Sequence, residues 1–235
     1  VRRERELAAF KPVDYFTVKV LYNHPNGVFW ATWQPTDEQK GLDPDGRLIN
    51  KAIADELVER LQAGPDGFIK GVTKSKKKDV QRLPLSLSSL QVLAGKAFSY
   101  DPQTVLDTAQ KLYEKKLTTY PRSDCEYLPP NQYDDRNAIL NNLQNEGDER
   151  LAQWADADRS IKSRAWNEKK ITAHHAIIPT TVACNINSLS QEERNIYFLI
   201  SQAYIAQFYG EHIYEQTKIV VEQSKEEFVA NGLSL

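Results

Sequence analysis

The segment LTTYPRSDCEYLP, residues 117–129, contains side chains that together suit chemistry at a phosphate. Pro121 restricts Tyr120 to extended backbone, and an extended chain alternates its side chains, so Thr118, Tyr120 and Arg122 are predicted to share one face. In that geometry the backbones of Tyr120 and Arg122 lie about 6 to 7 Å apart. A phenol with a pKa near 10 is only about 0.1% ionised at neutral pH, so it needs a cation to stabilise its phenolate. A guanidinium can do this while holding two phosphate oxygens, and the pair therefore indicates nucleophilic attack on a phosphodiester.

Two adjacent histidines lie in the apolar segment ITAHHAIIPT, residues 171–180. In extended backbone, neighbouring side chains point to opposite faces, so one imidazole can hydrogen-bond a phosphate while the other packs or is solvated. The residues alone do not say which of His174 and His175 has which role. A zinc site needs further ligands at suitable spacing, and the remaining histidines, His24 and His212, are distant in sequence, which disfavours zinc.

Composition limits the kind of protein in which this chemistry takes place. The chain has 235 residues, 40% of them hydrophobic, which suits one large or two smaller globular domains. It has no apolar run long enough to span a bilayer, its charged start VRRERELAAF is unlike a signal peptide, and its two cysteines suit a reducing compartment. It contains no methionine and begins with valine, which we interpret as an excised fragment. Because the net charge is −2, a nucleic-acid partner has to be held by a local basic patch.

The two ends of the chain read as β-structure. Residues 14–34 are predicted to form a hairpin around NHPNG, and the tail from residue 212 alternates as two strands joined at residues 223–225. Between them, residues 48–62 have helical spacing. The segment that follows is predicted to be a strand with a basic end, which is either a phosphate-binding patch or a solvated edge that discourages aggregation. Its basic residues are Lys74, Lys76, Lys77, Lys78 and Arg82.

The middle of the chain reads as helical. A serine-capped helix over SLSSLQVLAGKAF is followed by a second helix that begins at Asp101-Pro102, and a strand is predicted after it. Two helices joined by a short turn and followed by a strand resemble a helix-turn-helix with its wing. A strong amphipathic helix is predicted over residues 190–208, opened by a capping box. The order of elements is therefore β, then α, then β, as if a helical domain were inserted into a β domain.

The run from SLSSLQ to EYLP and the segment ITAHHAIIPT together resemble the catalytic region of type IA DNA topoisomerases, most closely the bacterial topoisomerase III group. The resemblance covers nearly the whole chain and implies an α+β multidomain fold. In it, residues 11–82 plus 211–235 form a β-arch, or hinge, domain, and residues 83–210 form an inserted helical domain that carries the nucleophile. In the family these elements are part of a torus, and the helical domain lifts away so that a second strand can enter.

The resemblance also implies roles for single residues. Tyr120 matches the nucleophile that attacks single-stranded DNA and keeps the 5′-phosphate, so that religation needs no ATP. Arg122 matches the arginine that grips the scissile phosphate, His174 a histidine that contacts phosphate near the cleavage site, and Asp124 a motif acid that is expected among the DNA-binding residues. Further phosphate contacts are expected from Lys76, Lys77 and Arg82.

The family relationship extends these expectations to cofactors and partners. Family members bind Mg²⁺ in a Toprim domain whose acidic cluster has no counterpart in this sequence, so the chain alone is expected to be inactive and to bind no metal. The expected partners are single-stranded DNA and a helicase or single-strand-binding protein, and the expected location is the bacterial cytoplasm, on nucleoid or plasmid DNA.

Two other functions compete with this interpretation. In a non-catalytic single-stranded DNA-binding module, Tyr120 would be a packed strand residue beside a surface arginine, and the helix pair and the lysines would hold DNA. In a relaxase or rolling-circle nuclease a tyrosine also attacks DNA, but the metal-binding histidine cluster usual in those enzymes is not visible in the sequence.

Overall fold

The computed structural model describes residues 2–235, which divide into two compact units. The sheet unit comprises the residues up to Lys78 together with Ile213–Leu235, and the helical unit comprises Asp79–His212. Along the chain the helical unit is thus inserted into the sheet unit, and the fold class is α+β, as predicted. The chain passes between the two units after Lys78 and after His212. The hinge domain of residues 11–82 plus 211–235 and the inserted domain of residues 83–210 stay predictions.

An antiparallel sheet of five strands forms the sheet unit, in the order β1-β2-β5-β4-β3, so β1 and β3 are its edges. The strands are β1 (Lys19–His24), β2 (Gly27–Gln34), β3 (Phe68–Asp79), β4 (His212–Gln223) and β5 (Glu226–Ser234).

Both predicted hairpins are present in this sheet. The first turns at Pro25-Asn26 and pairs Tyr22 with Phe29, whose ring centroids lie 5.8 Å apart. The second turns at Ser224 and Lys225, which both have a left-handed backbone, with φ of 51° and 66°. Two successive positive φ angles match the twist of the flanking strands. Neither residue is typical of that conformation, so the sequence predicts where this hairpin turns but not its backbone geometry.

A helix covers the buried face of the sheet. Helix α2 (Lys51–Ala63) contributes Leu57 and Leu61 to a cluster that also contains Trp33 and Phe228, all four of them buried. The helix and the two hairpins therefore share one hydrophobic core.

Helix α2 begins three residues later than predicted. Leu48 forms an isolated β-bridge with Phe16 and is buried, so it continues the extended chain. Asn50 then caps the helix, since its side chain accepts a hydrogen bond from the amide of Ala52 at 3.0 Å.

The helical unit is built around its last long helix. Helix α7 packs on the three helices α4, α3 and α6, and its buried side chains include Tyr197 and Tyr204. No helix within residues 2–235 is both long enough and apolar enough to cross a bilayer. The α-helices of the chain are α1 (Arg2–Ala8), α2, α3 (Leu87–Phe98), α4 (Pro102–Glu114), α5 (Arg136–Asn145), α6 (Glu149–Trp154) and α7 (Gln191–Ile205). Short 3₁₀ turns cover Pro130–Tyr133, Glu168–Lys170, Ile186–Ser188 and Ala206–Phe208.

Helices α3 and α4 meet in a short turn, where Ser99 has a left-handed backbone with φ of 59°. The strand predicted after α4 is not formed. Residues 115–129 instead follow an irregular path, with isolated bridges from Thr118 to Pro179 and from Leu128 to Trp166. The helix-turn-helix interpretation of α3 and α4 stays a prediction.

Removal of the α4 cap tests the local energetics of the helix pair. The Asp101 carboxylate accepts hydrogen bonds from the amides of Gln103 and Thr104 at 2.9 and 3.0 Å. We expect Asp101→Ala to lower the free energy of unfolding by about 1 kcal/mol, because two helix amides lose their acceptor. Urea denaturation followed by circular dichroism measures the change. Asp107→Ala is the control, since that exposed carboxylate bonds the Gln103 side chain and not the backbone; equal losses in both variants would contradict the capping account.

Candidate active site

Two segments that are distant in sequence run side by side in the helical unit. They are the tyrosine segment, residues 117–129, and the histidine segment, residues 171–180. The amide of Thr119 donates to the carbonyl of Ile178 at 2.9 Å, and the amide of Ile178 donates to Thr119 Oγ1 at 3.0 Å. These two bonds fix the backbone immediately before Tyr120, so the position of that residue depends on both segments.

Tyr120 is half-buried between two aromatic rings. Its ring centroid lies 4.5 Å from that of His174, with a tilt of 43°, and 5.6 Å from that of Tyr113, which presents its edge at 83°. Tyr113 belongs to the last turn of α4. Within residues 2–235 the phenol oxygen of Tyr120 makes no hydrogen bond, so the ring is positioned while the oxygen is available to a ligand.

Arg122 follows Tyr120 by two residues and carries a positive charge that no carboxylate in residues 2–235 neutralises. Its side chain is exposed, and in the described part of the chain it forms neither an ion pair nor a hydrogen bond. The carbonyl of the next residue, Ser123, accepts a hydrogen bond from the amide of Leu87 at 2.8 Å, which ties this backbone to the start of α3. A fixed backbone with a free guanidinium suits the binding of an anion.

The common face predicted for Thr118, Tyr120 and Arg122 is wrong for Thr118. That residue is 1% exposed, because its bridge to Pro179 places it in the interior, whereas Arg122 is exposed. The backbone bends at residues 121–122, which interrupts the two-residue alternation on which the prediction depended.

The two histidines differ in their surroundings. His174 is exposed and contacts the Tyr120 ring, whereas His175 is half-buried and its Nδ1 lies 2.8 Å from the carbonyl oxygen of Ala176. An imidazole bonded to the carbonyl oxygen of the next residue has less freedom to bind a ligand. The geometry therefore brings His174, and not His175, to the phenol.

Asp124 connects the two segments beyond Arg122. Its carboxylate accepts a hydrogen bond from Thr172 Oγ1 at 2.8 Å, and both side chains are exposed. The exposed surface along the two segments thus carries, in order, a phenol with an imidazole, a guanidinium, and a carboxylate with a hydroxyl.

A comparison with protein families identifies the family to which this chain belongs. A family model described as DNA topoisomerase matches residues 1–235, the whole chain. The chain belongs to the type IA DNA topoisomerases. The resemblance of the two segments to that family is thereby confirmed.

Individual relatives of this topoisomerase chain agree with the family assignment. It is similar to proteins named DNA topoisomerase 3 from Vibrio cholerae, 39% identical over 241 residues, and from Haemophilus influenzae, 37% identical over 247 residues. Each match covers all of this chain but only 37% and 38% of the relative. The chain therefore spans a little over a third of the length of these curated relatives.

A solved structure shares the fold of this topoisomerase chain. The full-length topoisomerase I from Thermotoga maritima superposes with a TM-score of 0.65 and 21% identity, over 99% of this chain and 36% of that one. At this identity the likeness shows the fold alone.

The basic residues predicted to contact DNA are divided between the two units of the topoisomerase chain. Lys76 and Lys77 are exposed on the edge strand β3, and no ion pair within residues 2–235 neutralises them, whereas Lys74 on the same strand pairs with Glu215 at 3.0 Å. Arg82 belongs to the helical unit, at an open groove of about 540 Å³. The groove is also lined by Ser86, Ser88, Val92, Leu93, Glu126 and Arg164. None of these lysines belongs to the tyrosine segment or the histidine segment. The DNA contacts of Lys76, Lys77 and Arg82 stay predictions.

Two contacts of the site were not predicted from the sequence. Tyr113 lies seven residues before Tyr120, and nothing in the local pattern indicates that the chain turns back to bring their rings together. Thr172 lies in the histidine segment, but its bond to Asp124 depends on how that segment pairs with the tyrosine segment. Only the tertiary fold provides this information.

The residues of the site do not form a metal centre. Among residues 2–235 no group of three or more histidine, cysteine, aspartate or glutamate side chains is arranged to hold a metal ion. The donors of the described residues do not fit the Mg²⁺ of the family.

Proposed function

We propose that this chain carries the nucleophilic part of a type IA topoisomerase active site, which cleaves and rejoins single-stranded DNA through Tyr120. The observation that carries the proposal is the position of Tyr120, whose ring lies between His174 and Tyr113 and whose phenol oxygen makes no hydrogen bond within residues 2–235. Arg122, two residues further along the chain, is exposed and has no ion-pair partner in the same described residues. Membership of the topoisomerase family supports it.

The reaction exchanges one phosphodiester for another. The oxygen of Tyr120 attacks the scissile phosphorus, a new bond joins the phenol to the 5′-phosphate, and the 3′-oxygen leaves and takes up a proton as a 3′-hydroxyl. Attack of that hydroxyl on the phosphotyrosine reverses the step and regenerates the phenol. Because the number and type of phosphodiester bonds are conserved, religation needs no ATP.

Arg122 and His174 have separate tasks in this scheme. The planar guanidinium of Arg122 binds two non-bridging oxygens of the scissile phosphate and stabilises the negative charge that develops on them. His174, in contact with the nucleophile ring, donates a hydrogen bond to a phosphate oxygen near the cleavage point. Asp124, held by Thr172, shapes the surface beside Arg122.

The complete cycle requires more than these residues. We propose that a Toprim domain, which residues 2–235 do not contain, would hold the Mg²⁺ that supports relaxation and religation, so this chain alone does not relax DNA. We further propose that residues 11–82 plus 211–235 act as the hinge about which residues 83–210 lift, within the torus of the family. Changes in DNA topology, by relaxation or decatenation, follow from passing a second strand through the open gate.

The cellular setting follows from the same proposal. Single-stranded DNA is the substrate, a helicase or single-strand-binding protein is the partner that exposes it, and bacterial cytoplasm is the location. The relatives compared above are bacterial proteins named DNA topoisomerase 3, which supports this setting.

A polarity experiment tests the proposal. The complete gene product that contains this sequence is mixed with single-stranded oligonucleotides labelled at either end, then denatured and separated on a gel. We expect the protein to retain the label of the fragment joined through its 5′-phosphate, which is the fragment carrying the 3′-label, and to release the 5′-labelled fragment with a free 3′-hydroxyl. Retention of the 5′-label would assign the opposite polarity and overturn the proposal. DNA binding without any adduct would instead favour the non-catalytic binding module.

A further inference from the structure

A second pair of side chains lies on the same two segments, beyond Asp124. Lys170 directly precedes the histidine segment, and its Nζ donates to the phenol oxygen of Tyr127 at 3.1 Å. The same nitrogen lies 4.9 Å from the centre of the Tyr127 ring. Lys170 is exposed, Tyr127 is half-buried, and no carboxylate in the described chain pairs with this lysine. A cation is thus held over an aromatic ring with its charge unneutralised.

The backbone around this pair is fixed by the contacts of the active site. The amide of Ala176 donates to the carbonyl of Tyr127 at 2.9 Å, and the sulfur of Cys125 lies 3.5 Å from the carbonyl oxygen of Lys170. The amide of Tyr127 in turn donates to Cys125 Sγ at 3.3 Å. The pair therefore belongs to the same rigid piece of structure as the nucleophile.

Side-chain contacts join the two parts of the chain at three points. Tyr120 meets His174, Asp124 meets Thr172, and Tyr127 meets Lys170. Seven residues separate Tyr120 from Tyr127, so their backbones are at most about 23 Å apart. Along this row the cations are Arg122 and Lys170, with the carboxylate of Asp124 between them.

From this geometry we infer that Tyr127 and Lys170 form a further binding site for single-stranded DNA, separate from the site of cleavage. The ammonium of Lys170 binds one phosphate, and the Tyr127 ring provides a face for a base or sugar. Single-strand binding sites combine cations with aromatic faces in this way. Because the Asp124 carboxylate repels phosphate, Arg122 and Lys170 bind two different phosphates of one strand and so set its direction across Tyr120. This inference rests on the proposed function, since it takes the same strand as its ligand.

Binding measurements with matched variants test the site. Lys170→Met removes the charge, and Lys169→Met is the control, because Lys169 is an exposed neighbour in the same 3₁₀ turn without a partner in residues 2–235. The complete gene product is titrated with a fluorescent single-stranded oligonucleotide at several salt concentrations, without divalent metal. We expect Lys170→Met to weaken binding about three- to tenfold and Lys169→Met to change it less than twofold. The slope of log affinity against log salt should fall by about 0.7 for Lys170→Met, the loss of one phosphate contact.

Substitution of the tyrosine distinguishes the ring from its hydroxyl. Tyr127→Leu removes the stacking face and should weaken binding at least about fivefold, whereas Tyr127→Phe keeps the face and should have a smaller effect. Circular dichroism of each variant shows whether the fold is retained. Equal effects of Lys170→Met and Lys169→Met, with the wild-type salt slope in both, would overturn the inference. The adduct on Tyr120 is scored in the same samples, so loss of this site with a normal adduct leaves the proposed function intact.

Discussion

The Tyr120→Phe variant is expected to form no covalent adduct with DNA while binding a single-stranded oligonucleotide within about twofold of the wild type. The substitution removes one oxygen atom. In residues 2–235 that oxygen makes no hydrogen bond, and the ring contacts with His174 and Tyr113 do not depend on it. Adduct formation should therefore be lost while DNA binding is retained, because the variant lacks the nucleophile and keeps the surface that holds the strand.

The measurement uses the complete gene product with a labelled oligonucleotide, and scores adduct on a denaturing gel and affinity by fluorescence anisotropy. Tyr113→Phe is the matched control, since it deletes the oxygen of the neighbouring phenol and keeps its ring against Tyr120. We expect this control to retain adduct formation. If Tyr120→Phe still formed adduct at the wild-type level, another residue would be the nucleophile and the assignment of this site would fail.

Some features of this molecule follow from local rules of sequence, and others depend on contacts between distant residues. Hydrophobic alternation marks strands and helical spacing marks helices, so the hairpins of the sheet and helix α7 could be predicted from local rules. The burial of Thr118 could not, because a bridge to Pro179, sixty-one residues further along the chain, decides it.

Contacts between the tyrosine segment and the histidine segment are even less predictable from the local sequence. His174 and His175 are equivalent in a local pattern. Only the pairing of the two segments brings His174 to the phenol and places His175 against the carbonyl of Ala176. The Tyr127–Lys170 pair likewise joins residues forty-three positions apart. Local propensity carries no information about such register, whereas a family resemblance carries it implicitly through relatives that share the fold.

A buried carboxyl outside the active site leads to the second large expected effect. Glu146 is 3% exposed, and its Oε2 accepts a hydrogen bond from the hydroxyl of Tyr197 at 3.0 Å. Its other oxygen, Oε1, is buried and has no hydrogen-bond partner among the described residues. Burial raises the pKa of Glu146 to about 8, and the negative charge of nearby Asp148 adds to this effect, while the Tyr197 hydrogen bond opposes it. The thiol of Cys184 lies in the same electrostatic environment, and burial raises its pKa to about 11.

The direction of the effect on stability follows from linkage between protonation and folding. In the unfolded chain the carboxyl has its ordinary pKa of 4.5, so between pH 4.5 and about 8 the unfolded state releases a proton that the folded state keeps. The free energy of unfolding therefore falls as the pH rises through this window, by about 1.4 kcal/mol per pH unit. Well below pH 4.5 the carboxyl is protonated in both states and burial carries no charge penalty, and above about pH 8 the penalty is complete.

We expect Glu146→Gln to remove this dependence, because an amide keeps an oxygen for the Tyr197 hydroxyl and does not titrate. The variant should match the wild type within about 1 kcal/mol at pH 5 and exceed its unfolding free energy by on the order of 4 kcal/mol at pH 8. Urea denaturation at both pH values, followed by far-ultraviolet circular dichroism, measures the difference.

Glu149→Gln is the control, since this exposed glutamate lies three residues away, and its substitution should leave the pH dependence unchanged. A wild type and a Glu146→Gln variant that lose stability in parallel from pH 5 to 8 would show that another group carries the titration. The expected result would instead show that, at neutral pH, this topoisomerase unit keeps a neutral carboxyl in its core at a cost in stability that a single amide removes.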